Sequence, residues 1–133
     1  MSLLGEQWRW ISLPVILAIH SRQISEHGGI DGIRDLGLLE SALARPQNLA
    51  AYKNPTVFDL AAAYGFGLAS NHPFLDGNKR TAFVTTRLFL SLHGWIVTAP
   101  PQEKIDIFLK LAAGKLSEQD LSLWLKNSGS SLP

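Results

Sequence analysis

The chain has 133 residues, 46% hydrophobic and 17% charged, with a formal net charge of +1 and no Cys. That length supports a single domain with a real core, and that composition excludes a disordered chain. The charge balance carries no electrostatic footprint for nucleic acid, and the missing thiols exclude disulfides, thiolate metal sites and a cysteine nucleophile. A Cys-free chain suits a cytoplasmic address. No basic stretch leading into an apolar core opens the sequence, so no signal peptide is expected.

Trp8, Trp10 and Ile11 form an aromatic lead-in. Ser12 reads as an N-cap with Pro14 in the first turn, and Val15, Ile16, Ile19 and Ile24 give a helical stripe over 13–26, stopped by Gly28-Gly29. His20 and His27 read either as polar surface or as core hydrogen-bonding groups. Residues 28–35 carry turn chemistry. A short helix is predicted from Leu36 to Ala44, ended by Arg45-Pro46, with 46–54 read as a helical turn and then loop. Asn54-Pro55 reads as cap and first-turn proline of the next helix. From Val57 to Ala69 the one charge is Asp59, the pattern of a helix buried on all sides. It is too short for a bilayer, which needs ~20 apolar residues, so no membrane span is expected. Ala61, Ala62, Ala63, Gly65 and Gly67 leave room for close neighbours.

A second central helix is predicted over 78–93, its apolar positions running from Ala82 to Leu92 and its stop at Gly94. Trp95-Ile96-Val97 reads as a short extended connector. Ala99-Pro100-Pro101 opens another helix with Ile105, Phe108, Leu109 and Ala112 at helical spacing. Ser117-Glu118-Gln119-Asp120 resembles a capping box and begins a last helix through Leu121, Trp124 and Leu125, and the tail from Ser128 is expected to fray. The reading is an all-α single domain over 1–133, with its core at about 12–127 and about six helices, two of them central and buried.

Between the two central helices lies His72-Pro73-Phe74-Leu75-Asp76-Gly77-Asn78-Lys79-Arg80. It gathers an imidazole able to act as a base near neutral pH, a carboxylate able to hold Mg²⁺, and a Gly that lets backbone N–H groups converge on an anion. Lys and Arg follow at a helix N-terminus, where phosphate binds. His72 is the candidate general base and Asp76 the metal ligand, with a helix N-cap as its rival role. Gly77, Lys79 and Arg80 are candidates for phosphate. Asn78 reads either as a phosphate ligand or as a brace for the loop. Phe74 reads as a core anchor, and Arg87, seven residues past Arg80, as a residue of minor weight.

This run resembles the signature of the Fic/Doc superfamily, whose Fic-type members carry H-P-F-x-[DE]-G-N-G-R-x-x-R. Here Lys79 stands where those have the second Gly and Phe83 where they have the second Arg. Both departures look like the Doc branch, the toxins of toxin–antitoxin pairs. Gly28–Asp35, Gly37–Leu43, Asp59–Tyr64 and Leu111–Gly114 look like Doc-family segments too. The resemblance implies an all-α fold and transfer from ATP, with Mg²⁺, to a protein hydroxyl. Fic-type members usually transfer AMP, whereas Doc-type members transfer the terminal phosphate. Lys79 fills room that a Gly leaves for the nucleotide and adds charge, which favours phosphotransfer, with AMP transfer as the alternative. A phosphate-binding module without chemistry is the second alternative, and a ribonuclease a distant third. The resemblance further implies a translation elongation factor as target. It also implies a separate antitoxin whose disordered tail folds as a helix into a groove. The nearest match to a built-in inhibitory helix is Ser2-Leu3-Leu4-Gly5-Glu6-Gln7, which departs from that pattern by ending in Gln.

Overall fold

The computed structural model describes residues 8–133; the Ser2–Gln7 stretch lies outside them. The described residues form an all-α domain of six helices and one small strand pair. In order these are α1 (Leu13–His27), α2 (Leu36–Tyr52), α3 (Val57–Asn71), α4 (Asn78–Leu92), β1 (Trp95–Val97), α5 (Pro101–Ala112), α6 (Glu118–Ser128) and β2 (Gly129–Ser131). No described helix is long and apolar enough to cross a membrane.

The centre is α3, packed against α2, α4, α5 and α6. Ten of its residues are buried, among them Leu60, Tyr64 and Leu68. Its small residues let neighbours come close, as their spacing predicts. A Cβ on Gly67 would lie 3.1 Å from the Ala42 Cα of α2, and one on Gly65 would run into Thr86 Oγ1 of α4. The second central helix, α4, is buried along one face. That face is built of Thr81, Ala82, Thr85, Thr86, Phe89 and Leu90. The lead-in is anchored on the core: Tyr64 Oη accepts from the Ile11 N–H at 2.8 Å, and Trp8 and Trp10 lie against Phe89.

Three local expectations fail, each for a nonlocal or reciprocal reason. The second helix does not stop at Pro46 but runs to Tyr52 with Pro46 inside it. An interior proline removes one helical hydrogen bond and costs about 3 kcal/mol. Continuing the helix buries Pro46 beside Leu39 and Ala42 and carries Leu49 and Ala50 onto the core. The cap of α3 is Thr56, not Asn54. Thr56 Oγ1 accepts from the Asp59 N–H at 3.1 Å and Asp59 Oδ2 accepts from the Thr56 N–H at 2.9 Å, so one reciprocal box satisfies two orphan donors. The tail does not fray at Ser128: β2 pairs antiparallel with β1, Trp95 opposite Ser131, and Thr98 donates both N–H and Oγ1–H to the Ser128 carbonyl. On α5 the buried positions are Phe108 and Leu111, while Ile105 and Leu109 stand exposed.

Candidate functional site

α3 ends at His72, whose backbone lies in the left-handed region at φ 48°, ψ 55°. A non-glycine residue there is held by its surroundings. Arg34 holds it, with Nε donating to the His72 carbonyl at 2.6 Å and Nη2 to the Asn71 carbonyl at 2.8 Å. A guanidinium on the last carbonyls of a helix also suits the negative end of its dipole. Asn71 Nδ2 donates onward to the Leu38 carbonyl, tying the same corner to α2. The turn therefore projects the His72 imidazole outward. His72 is exposed, with no hydrogen bond to its ring among the described residues.

The loop then returns through a backbone lattice. The Pro73 carbonyl accepts from the N–H groups of Arg34 and Asp35, and the Leu75 N–H donates to the Gly32 carbonyl at 3.0 Å. Phe74 is buried at the bottom of the loop, as its apolar side chain predicts. Asn78 takes the bracing role: its Oδ1 accepts from the Phe74 N–H at 2.9 Å and its Nδ2 donates to the Phe74 carbonyl at 3.0 Å. With the amide engaged on both sides, its side chain is committed to the loop. Asp76 is not the helix cap; that position is Gly77, at φ 77°. The Asp76 carboxylate accepts instead from the Gly77 N–H through Oδ1 at 3.0 Å and from the Ile30 N–H through Oδ2 at 3.2 Å. Asp76 remains exposed, so lone pairs on it stay open to a cation.

No side chain among the described residues caps α4. Its first N–H groups therefore face outward at the positive end of the dipole, a ready anion site. Lys79 and Arg80 are exposed on this first turn, and neither has an ion pair among the described residues. His72, Asp76, Gly77, Asn78, Lys79 and Arg80 all line one groove of about 1840 Å³ bounded by α1, α4 and α5. Small-molecule pockets run to about 1000 Å³, so this groove has room for a nucleotide and a polypeptide segment. Beyond the loop its wall is apolar, with Phe83, Leu88, Ile105 and Leu109, and basic, with Arg87 and Lys104. Phe83 packs edge-on against Phe108 of α5 at 5.3 Å, and the Arg87 guanidinium lies 5.5 Å from the Phe83 ring. The position where Fic-type members carry a second Arg thus joins α4 to α5. Among the described residues no three His, Cys, Asp or Glu side chains cluster as a metal cage. A single open carboxylate is nonetheless compatible with Mg²⁺, which keeps several waters and is usually held through one or two carboxylates together with the phosphates of a substrate.

Sequence reasoning missed Arg34 and left the role of His20 open; His20 lies beneath the loop. The glycine-rich segment Gly28–Asp35 carried the only signal for Arg34, since nothing local marks an arginine that reaches 38 residues along the chain.

Comparison with known proteins places the chain in a family. The Fic/DOC family profile matches residues 10–90. The chain is 37% identical over 110 residues to the Protein kinase doc of Escherichia phage P1, covering 82% of this chain and 86% of that protein. It is 46% identical over 71 residues to the Toxin Doc of Mycolicibacterium smegmatis, covering 50% of this chain and 53% of that protein. With its loop, its helical frame and these relatives in agreement, the chain belongs to the Fic/Doc family, on its Doc branch.

Proposed function

We propose that this protein is a toxin that transfers the γ-phosphate of ATP to a Ser or Thr hydroxyl of a protein target. The observation that carries the reading is the uncapped N-terminus of α4, flanked by Lys79 and Arg80 and sharing one groove with an outward-facing His72. In this reading the phosphates lie on the α4 N–H groups, Lys79 acts as a point charge and Arg80 as a fork. His72 takes the proton from the target hydroxyl. The oxygen then bonds to the γ-phosphorus, the bond to the bridging oxygen breaks, and ADP leaves. Such catalysis rests on positioning and electrostatics. Asp76 would hold Mg²⁺ jointly with phosphate oxygens, and the ion supplies charge neutralisation.

A protein acceptor is supported by the apolar rim around the loop, where Ile30, Ile33, Leu36 and Leu75 are all exposed. A translation elongation factor in the cytoplasm is the target we propose. Control by a separate antitoxin is supported by the groove's exposed Ile105 and Leu109 beside Arg87 and Lys104, which fit an acidic amphipathic helix.

The deciding experiment uses purified protein, Mg²⁺ and ATP labelled at the α- or the γ-position, with mass spectrometry of treated lysate. A γ-label on protein, lost in His72→Ala, is the expected outcome. An α-label would make the enzyme an AMP transferase, and no label on any protein would leave a binding module. Lys79→Gly tests the choice of group. If the variant transfers the same group as efficiently as the parent, Lys79 does not orient the nucleotide.

A further inference from the structure

We propose that His20 is a positioning residue that sets the Asp76 carboxylate; the proposal rests on the reading of Asp76 as the metal-holding group. His20 lies on α1 and is 3% exposed. A buried imidazole needs partners for its nitrogens. Its Nε2 lies 2.8 Å from the backbone carbonyl of Asp76. A carbonyl only accepts, so Nε2 carries the proton and donates. The ring lies flat on Phe74, with centroids 3.7 Å apart and planes 7° apart. Phe74 in turn has both backbone polar groups held by Asn78. His20 thus grips the middle of the loop through a stack and a hydrogen bond at once.

The same stretch of chain also grips the other end of Asp76. Ile30, in the loop directly after α1, gives its N–H to Asp76 Oδ2. Asp76 is therefore fixed at its main chain by His20 and at its carboxylate by Ile30 and Gly77, so rotation about its side-chain bonds is restrained. Gly29 completes the cradle. Its φ is +119°, and a Cβ there would lie 2.9 Å from Asp76 Oδ2. Only glycine leaves the carboxylate where it is. The Asp31 carboxylate stands 3.8 Å from His20 Nδ1 but is 73% exposed, so it orients the ring weakly. A group that holds a cation through a single protein ligand depends on such support, because nothing else fixes the ligand's direction.

The test uses the full chain with His20→Phe, which keeps a flat ring on Phe74 and removes the donor, and His20→Gln, whose amide N–H reaches toward the place of Nε2. Amide hydrogen exchange is followed at Ile30 and Gly77 without nucleotide or metal. The Mg²⁺ concentration for half-maximal ATP binding is then measured. His20→Phe is expected to lose protection at both amides and to need about 5- to 10-fold more Mg²⁺, the worth of one buried hydrogen bond. His20→Gln is expected to recover part of both. Parent-like protection and an unchanged Mg²⁺ requirement in His20→Phe would overturn the proposal. If His20→Phe does not fold, Gly29→Ala substitutes for it: displacing the carboxylate without touching His20, it should raise the Mg²⁺ requirement equally, and an unchanged requirement there counts against the cradle. A parent protein that binds ATP with no response to Mg²⁺ defeats the reading of Asp76 itself, while the exchange measurement still decides whether His20 sets its position.

Discussion

At His72 the side chain faces the groove while the main chain sits at φ 48°. A left-handed non-glycine residue costs of order 1 kcal/mol, and here that cost is met by Arg34 on the adjoining carbonyls. On the role of base proposed for His72, function and stability pull apart at this position. His72→Gly is expected to be as stable as the parent or more so, by up to about 1 kcal/mol, since helices favour glycine in this conformation. Its transfer activity is expected to fall about 10²- to 10⁴-fold with loss of the base. Thermal melts beside the labelled-ATP assay check both; a His72→Gly variant that keeps its activity would remove His72 from the chemistry. Arg34→Ala should cost about 1–2 kcal/mol in a denaturant titration, the scale of a charged hydrogen bond discounted for exposure, and should lower transfer by loosening the turn that aims the imidazole.

At the scale of the element, α3 depends on how closely it is approached. Gly67→Val places branched carbons against the Ala42 main chain, which has no side-chain freedom to yield. The expected destabilisation is about 1–3 kcal/mol, read as a lower denaturation midpoint at unchanged m-value. The start of α3 predicts a pH response. Partial burial pushes the Asp59 carboxyl up, but hydrogen bonds from Ser122 and from the N–H and hydroxyl of Thr56, with the Lys126 charge, bring it net below its usual value. A carboxyl lowered in the folded state stabilises fully above its unfolded value, ~3.9, and that contribution is lost as pH falls through the folded value. Asp59→Ala should cost about 1 kcal/mol at neutral pH and flatten the acid limb of a stability–pH profile. A profile identical in shape to the parent's would show that another group carries the acid response.

At the scale of the molecule, α1, α4 and α5 border an open groove of about 1840 Å³. Helix α5 contributes Phe108 and Leu111 to the core and turns Ile105 and Leu109 to the groove. Surface positions of this kind bear on folding by no more than about 0.5 kcal/mol. The double substitution Ile105→Glu, Leu109→Glu should thus leave the melting temperature nearly unchanged and weaken the partner at least about 100-fold, because two exposed apolar side chains that the proposed acidic helix would cover become charges of its own sign. Calorimetric titration with the partner protein measures it. Unaltered affinity would place the antitoxin elsewhere.

The sequence by itself determined what local chemistry can write. The run His72–Arg80 names its own reactive groups. The apolar stretch from Val57 declares a helix with no solvent face, and Ser117 with Asp120 marks a helix start, where the Ser117 hydroxyl does accept from the Asp120 N–H at 3.0 Å. These signals act over a few residues, the reach of a helical turn. Tertiary structure alone decided the rest. Pro46 stays inside a helix whose continuation buries it, and the chain's end becomes a strand because β1 offers it unpaired backbone. His20 and Arg34 become part of the loop by reaching 56 and 38 residues along the chain. Burial and hydrogen-bond partnership at that separation depend on where the folded chain brings its segments together, and no periodicity or capping rule encodes them.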